Sequence, residues 1–345
     1  MNRAAHSKVS KKAPPSPSVA PQQSTETEAA DRAAVLQVAL RRLKRFIRCE
    51  PKVLQGDDPE AIHDLRVASR RLQQVVDLLY AKPRPRKIRK LRRAIQRSRQ
   101  IFSAVRNCDV LMQRLNGLLA RKRTSQRETW TAFQRHLEAR RSDAFQQAVK
   151  KLTHLNLSGF YVRMQDALNT PREGGDLAGA GGDGSSPVAE SEPPGDRLKK
   201  ELQATWESFD ARVLRAQSER RPATLHAVRI AAKRLRYLIE VMQELRVADG
   251  RKILSGLRRL QQELGEWHDL EVMQQMMAEM VGRPAFLRNN LHLSIQIEKL
   301  MLRNQNSKVA YEEKLFESAI SSRRPEWQAW VAAVASQPVP ADAES

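Results

Sequence analysis

A chain of 345 residues with 41% apolar side chains can fold as one large or two ordinary domains around a sizeable core. Its 61 Lys and Arg against 39 Asp and Glu leave a formal net charge of +22, a self-repelling excess that suits an anionic partner: nucleic acid, an anionic membrane surface or polyphosphate. Cys49 and Cys108 stand too far apart for a disulfide framework or a zinc cluster, and no apolar run approaches the ~20 residues of a membrane span. That cysteine usage makes a reducing cytoplasm the expected compartment, and the basic N-terminus does not read as a secretory signal.

Residues 1–29 are rich in Pro, Ser, Ala and Gln without apolar periodicity and read as a disordered tail. From about Ala30 helical spacing sets in, with Val35, Leu36, Ala39, Leu40, Leu43 and Ile47 on one side. Asp58 as cap and Pro59 at the first helical position start the next helix, which runs to about Tyr80. A long basic helix is predicted over 85–119 and another over 126–152. Residues 171–196 then carry seven Gly, four Pro and six acids against one Arg, which marks a flexible linker of opposite charge sign. Helical text resumes at Arg197, with Pro222 and Pro284 at plausible helix starts, and ends near Ala335 before a frayed tail over 336–345.

The two sides of the linker repeat each other. The segment from His63 through Arg66, Arg70, Arg71 and Leu72 matches that from His226 through Arg229, Lys233, Arg234 and Leu235. A second block, from Phe102 through Arg106, Asn107 and Asp109, matches Leu264 through His268, Asp269 and Glu271 at nearly the same offset. Residues 30–170 and 197–335 are therefore two copies of one helical unit. The expected fold is all-α: two pseudo-symmetric four-helix bundles around a basic groove or pore.

At ~100° per residue, Arg66, Arg70 and Gln74 share a face with His63. Leu65, Ala68, Leu72, Val75, Val76 and Leu79 lie opposite. The second copy sets His226, Arg229, Lys233 and Tyr237 against Val228, Ala231, Leu235, Leu238, Ile239 and Met242. The basic stripes should leave the core and can face each other across a groove. Between Asp77 and Asp109 there are eleven Lys or Arg and no acid, and Arg93 and Arg97 lie on the polar face of that helix.

At these residues the chain resembles the CHAD family, the conserved histidine α-helical domain. The duplicated motif, not a single His-x-x-Arg, carries the resemblance, which spans about residues 30–335. It implies two four-helix bundles around a basic channel and binding of inorganic polyphosphate, with localisation to polyphosphate granules. The phosphate-facing set it implies is His63, Arg66, Arg70, Arg71, His226, Arg229, Lys233, Arg234 and Arg236. Gln73 stands where the second copy has Arg236, Gln74 where it has Tyr237, and Arg106 where it has His268.

The expectation is thus a non-enzymatic polyphosphate binder without cofactor or metal. Neighbouring cations disfavour metal ligation by His63 and His226, whose alternatives are phosphate donors or ordinary surface histidines. Asp109, Glu240, Asp269 and Glu271 read as partners of nearby arginines rather than catalytic acids. No Walker-type loop or nucleophile–base pair is present. The competing readings are a nucleic-acid binder, for which aromatic stacking platforms are sparse, and an accessory protein of storage granules or phosphate-chain enzymes.

Overall fold

The computed structural model describes residues 22–56, 58–80, 83–120, 126–170, 194–316 and 323–336. Most of the expected linker and both expected tails lie largely outside that set. The described residues form helices and connecting turns, without a strand.

In the first half these are α1 (Gln22–Gln55), α2 (Pro59–Leu79), α3 (Arg86–Ile101), α4 (Ser103–Leu119), α5 (Arg127–Leu155) and α6 (Leu157–Asn169). In the second they are α7 (Pro194–Glu219), α8 (Pro222–Glu244), α9 (Arg251–Val281), α10 (Pro284–Asn289), α11 (Leu291–Lys314) and α12 (Arg324–Ser336). The start of α2 follows its sequence signals: the Asp58 carboxylate accepts from the Glu60 amide at 2.8 Å, with Pro59 at the first helical position. At α8, Pro222 opens the helix and the Thr224 hydroxyl accepts from the Arg221 amide at 3.2 Å.

Helix α7 begins at Pro194, inside the linker expected over 171–196, and two further boundaries differ from expectation. Helix α1 begins at Gln22, ahead of the expected start near Ala30. Residues 22–29 lack apolar periodicity, but Glu, Ala and Gln among them are strong helix formers. The single basic helix expected over 85–119 is broken into α3 and α4 at Phe102 (φ −93°, ψ 15°), whose fully buried ring fixes the junction. The matching stretch of the second half runs unbroken through α9.

Packing follows the apolar stripes read from sequence. Helix α1 lies on α2 and α6, and α3 on the same two helices. Leu43, Phe46, Leu65, Leu72, Ile95 and Phe160 fill the space between them, with Phe46 edge-on to Phe160 at 5.8 Å. In the second half α8 lies on α7 and α9, and α12 on α7. Trp206, Phe209 and Trp327 form a chain of ring contacts there, at 5.7 and 6.1 Å. These cores are continuous with each other. A second apolar cluster draws on both halves: Leu111 of α4, Phe133 of α5, Met273 and Met277 of α9 and Ile297 of α11. The halves are thus joined by buried apolar surface as well as through contacts of α2 with α8.

Trp327 fits because Gly256 has no side chain. A Cβ there would stand 2.9 Å from the Trp327 ring, which is only 2% exposed and has no room to retreat. Gly256→Val should therefore destabilise the fold by about 1–3 kcal/mol, the usual cost of overpacking, seen as a lower denaturation midpoint. An unchanged midpoint would show that α12 does not dock on α9 in this way.

Candidate polyanion-binding site

The helical wheel puts the two motif stripes on the sides of α2 and α8 away from their own cores, and the α2–α8 contact brings those sides together. Arg66 and Arg70 of α2, Arg99 of α3, Arg106 of α4, and Arg229 and Lys233 of α8 form one electrostatic neighbourhood. It spans both halves of the chain. The stripes do not lie on an open surface as the wheel suggested: Arg66, Arg70, Arg229 and Lys233 are half-buried between the helices. Tyr237, placed with them by the wheel, is 4% exposed, with the Arg236 guanidinium 4.7 Å above its ring.

The chemistry of the cluster is that of like charges in a partly dry crevice. Burial, reinforced by Arg70, Arg99, Arg106 and Arg229, pushes Arg66 down to about 10. Burial and Arg70 push Arg99 down to about 10 as well. Lys233 falls furthest, to about 6, through burial first and then Arg229, Arg70, Arg66 and Arg236. An ammonium is a compact charge that sheds its proton to escape this environment, whereas a guanidinium cannot. Arg70 neighbours Arg66, Arg99, Arg229, Lys233 and His63 and has no side-chain partner among the described residues.

Three histidines rim the cluster. His63 is half-buried and held below its ordinary value by burial and Arg106. Exposed His226 lies with its ring 5.3 Å from that of His268. Burial, Arg229, His226 and Lys233 push His268 down to about 3, so it is neutral at physiological pH. Asp269 faces the same cations, and its burial raises it despite Arg229, Arg114, Lys233 and Arg106.

Held geometry accompanies the charge. Arg66 donates to the Arg99 carbonyl at 2.5 Å and to Ser103 Oγ at 2.8 Å, beside the α3–α4 break. Arg99 donates to Gln73 Oε1 at 3.1 Å. The carboxylates expected to partner basic residues do so elsewhere: Asp109 takes Arg141 at 2.5 Å, Glu240 takes Arg71 at 3.1 Å and Arg236 at 3.6 Å, and Glu271 takes Lys308. Among the described residues no three His, Cys, Asp or Glu side chains are grouped as a metal site.

Of the residues expected at the site, His63, Arg66, Arg70, His226, Arg229 and Lys233 come together, with Arg236 alongside Lys233. Arg71 is turned to Glu240, and exposed Arg234 to Glu201 at 2.6 Å. Arg93 and Arg97 lie on the exposed outer side of α3. The same helix contributes Arg99 instead, which sequence reading passed over within a uniformly basic run. Arg106 and His268, aligned with each other by the repeat but outside the expected site set, are both brought to the cluster by the fold.

The fold and site define a class: an all-helical duplicated protein with a cationic crevice between its copies. Residues 37–278 match the profile of the CHAD domain, and the chain belongs to that family. A crystal structure described as the CHAD domain from the plant Ricinus communis superposes with a TM-score of 0.55 at 23% identity, covering 90% of this chain and 93% of that one. That likeness concerns the fold. No curated protein matches the chain. No helix of the described residues is long and apolar enough to cross a membrane.

The Lys233 environment has a stability consequence with a definite sign. The unfolded chain takes up the lysine proton near 10, but the folded chain only near 6. Stability from this group is therefore lost as pH falls from about 10 to about 6, and is level below that. Lys233→Met should raise the melting temperature at pH 7 and flatten its pH dependence across that window. A parallel shift of the whole curve, with its slope unchanged, would show that Lys233 stays charged in the folded state.

Proposed function

We propose that this protein binds inorganic polyphosphate without catalysis, through the crevice where Arg66, Arg70, Arg99, Arg106, Arg229 and Lys233 converge. The carrying observation is the imbalance of the crevice: six basic side chains from four helices face one another, against Asp269 and the Glu60 carboxylate that pairs with Arg106 at 3.5 Å. A chain of phosphates relieves that repulsion, and release of its counter-ions supplies affinity as it does for nucleic acid. The two motif copies then act as one site, supplied by a pseudo-symmetric pair of four-helix bundles around a basic groove. The family's general relation to polyphosphate supports the same ligand.

A phosphate-chain enzyme would need carboxylates free to hold a divalent ion beside the phosphates. Asp109 and Glu240 are committed to arginines and Glu271 to Lys308, which favours a binding role. The setting that fits is the cytoplasm, at polyphosphate granules. Duplex DNA or RNA is the competing ligand and offers the same phosphates, but among the described residues the aromatic rings at the crevice are buried Tyr237 and the rim histidines, without a Phe or Trp platform for stacking bases.

Arg70→Ala, Arg229→Ala and Lys233→Met together should leave the helical circular dichroism intact and weaken long-chain polyphosphate binding at least a hundredfold, since each charge-assisted contact contributes roughly 1.5–3 kcal/mol before non-additivity. The slope of log K against log salt should fall by roughly one per phosphate contact removed. Wild-type affinity in the folded triple variant would move the site away from the crevice. Displacement of polyphosphate by duplex DNA at equal phosphate concentration would favour the nucleic-acid reading.

A further inference from the structure

A separate cavity of about 410 Å³ opens between the halves, bounded by α1 and α2 on one side and α8 and α9 on the other. Arg41, Arg42 and Arg45 line it from α1, Arg71 from α2 and Arg258 from α9, against Glu240 and Glu244 of α8. Both carboxylates are already engaged. Glu244 holds Arg41 and Arg42 at 2.8 Å each, and Glu240 holds Arg71 at 3.1 Å and Arg236 at 3.6 Å. Arg42 also donates to the Arg71 carbonyl at 3.0 Å, and its side chain is only 10% exposed. Three of the five guanidinium groups are thus fixed in place by carboxylates before any ligand arrives. Arg45 and Arg258 are exposed and have no carboxylate partner among the described residues. Ala68, Gln243 and Leu254 complete the wall and add no acid.

We infer that this cavity is a second anion site, built for a compact ligand carrying several phosphates, and distinct from the crevice of Arg70 and Lys233. Its size falls within the usual range for small-molecule pockets, ~300–1,000 Å³. Its cations converge on one volume from three helices, a geometry that engages clustered phosphates at once rather than successive units of a long chain. The fixed arginines lower the ordering cost of binding, and the two unpaired ones supply the charge that a ligand neutralises. A ligand here touches both halves of the chain, so occupancy stabilises their association by mass action. The inference stands on the cavity alone and does not require the crevice to bind polyphosphate.

Clustered phosphates could come from a free small molecule or from the end of a phosphate chain, and two probes separate these sources. Inositol hexakisphosphate and tripolyphosphate are titrated calorimetrically into the full chain at physiological salt, beside long-chain polyphosphate. The variants are Arg45→Gln with Arg258→Gln, at exposed positions that leave helix propensity nearly unchanged, and Arg70→Ala with Lys233→Met. One equivalent of inositol hexakisphosphate should bind saturably. The glutamine pair should weaken it at least tenfold, and the crevice pair should leave it within about twofold. Tighter binding of tripolyphosphate than of inositol hexakisphosphate, with the same dependence on Arg45 and Arg258, would assign the cavity to chain ends. Absence of saturable binding by either probe overturns the inference. So does binding that the glutamine pair leaves unchanged, or that both pairs weaken equally.

Discussion

The constraint on which the rest of this structure depends is the burial of like charge where α2 meets α8. Two copies of one helix turn their apolar sides inward, into cores that are nearly water-free at Leu65, Leu72, Val228 and Leu235. Their polar sides are then left to face each other. Six basic groups share that space, and the strain is visible in Lys233, which approaches neutrality under the combined weight of burial and its arginine neighbours. Coulomb repulsion in a partly desolvated crevice opposes the fold, so apolar packing elsewhere must offset it. The shared core and the second cluster of Leu111, Phe133, Met277 and Ile297, both drawn from the two halves, meet that demand.

In the proposed role such a site would trade stability for affinity. Charges already brought together would need little further ordering on polyanion entry, and Arg70, without a side-chain partner among the described residues, would gain one. Arg66 shows how the fold holds such a group: the α3–α4 break at Phe102 sets the Arg99 carbonyl and Ser103 hydroxyl where the guanidinium can donate to both. The unbroken α9 has no equivalent, and His268 takes the place of Arg106 there. The two copies therefore contribute unequally to one cluster, with arginine dominating on the first side and the His226–His268 pair beside Arg229 and Lys233 on the second.

Much of this was legible in the sequence because it depends on periodicity. The helical class, the duplication and the sorting of α2 and α8 into apolar and basic sides all follow from spacing: the apolar residues the wheel selected are buried, Leu79 only partly, while Ile62, Leu225, Ala232 and Val241 are buried beside them and Tyr237 is buried from the basic stripe. What spacing could not supply was the position of one helix against another. Arg93 and Arg97 satisfied the same rule as Arg70, but α3 packs with Arg99 toward the crevice and leaves the other two outside. Arg71 follows Arg70 by one residue, yet that step of roughly 100° turns it from the crevice to the cavity of Glu240. The break at Phe102 was not legible at all, since no glycine or proline marks it.

The central proposal is that a polyanion enters the crevice beside Lys233, which burial and its arginine neighbours push down to about 6. Binding should then return a proton to that lysine. Calorimetric titration of long-chain polyphosphate at pH 7.5, repeated in two buffers of different ionisation enthalpy, measures proton uptake directly. The account predicts uptake approaching about one proton per crevice occupied, lost in Lys233→Met. Polyphosphate binding with identical enthalpy in both buffers would contradict it.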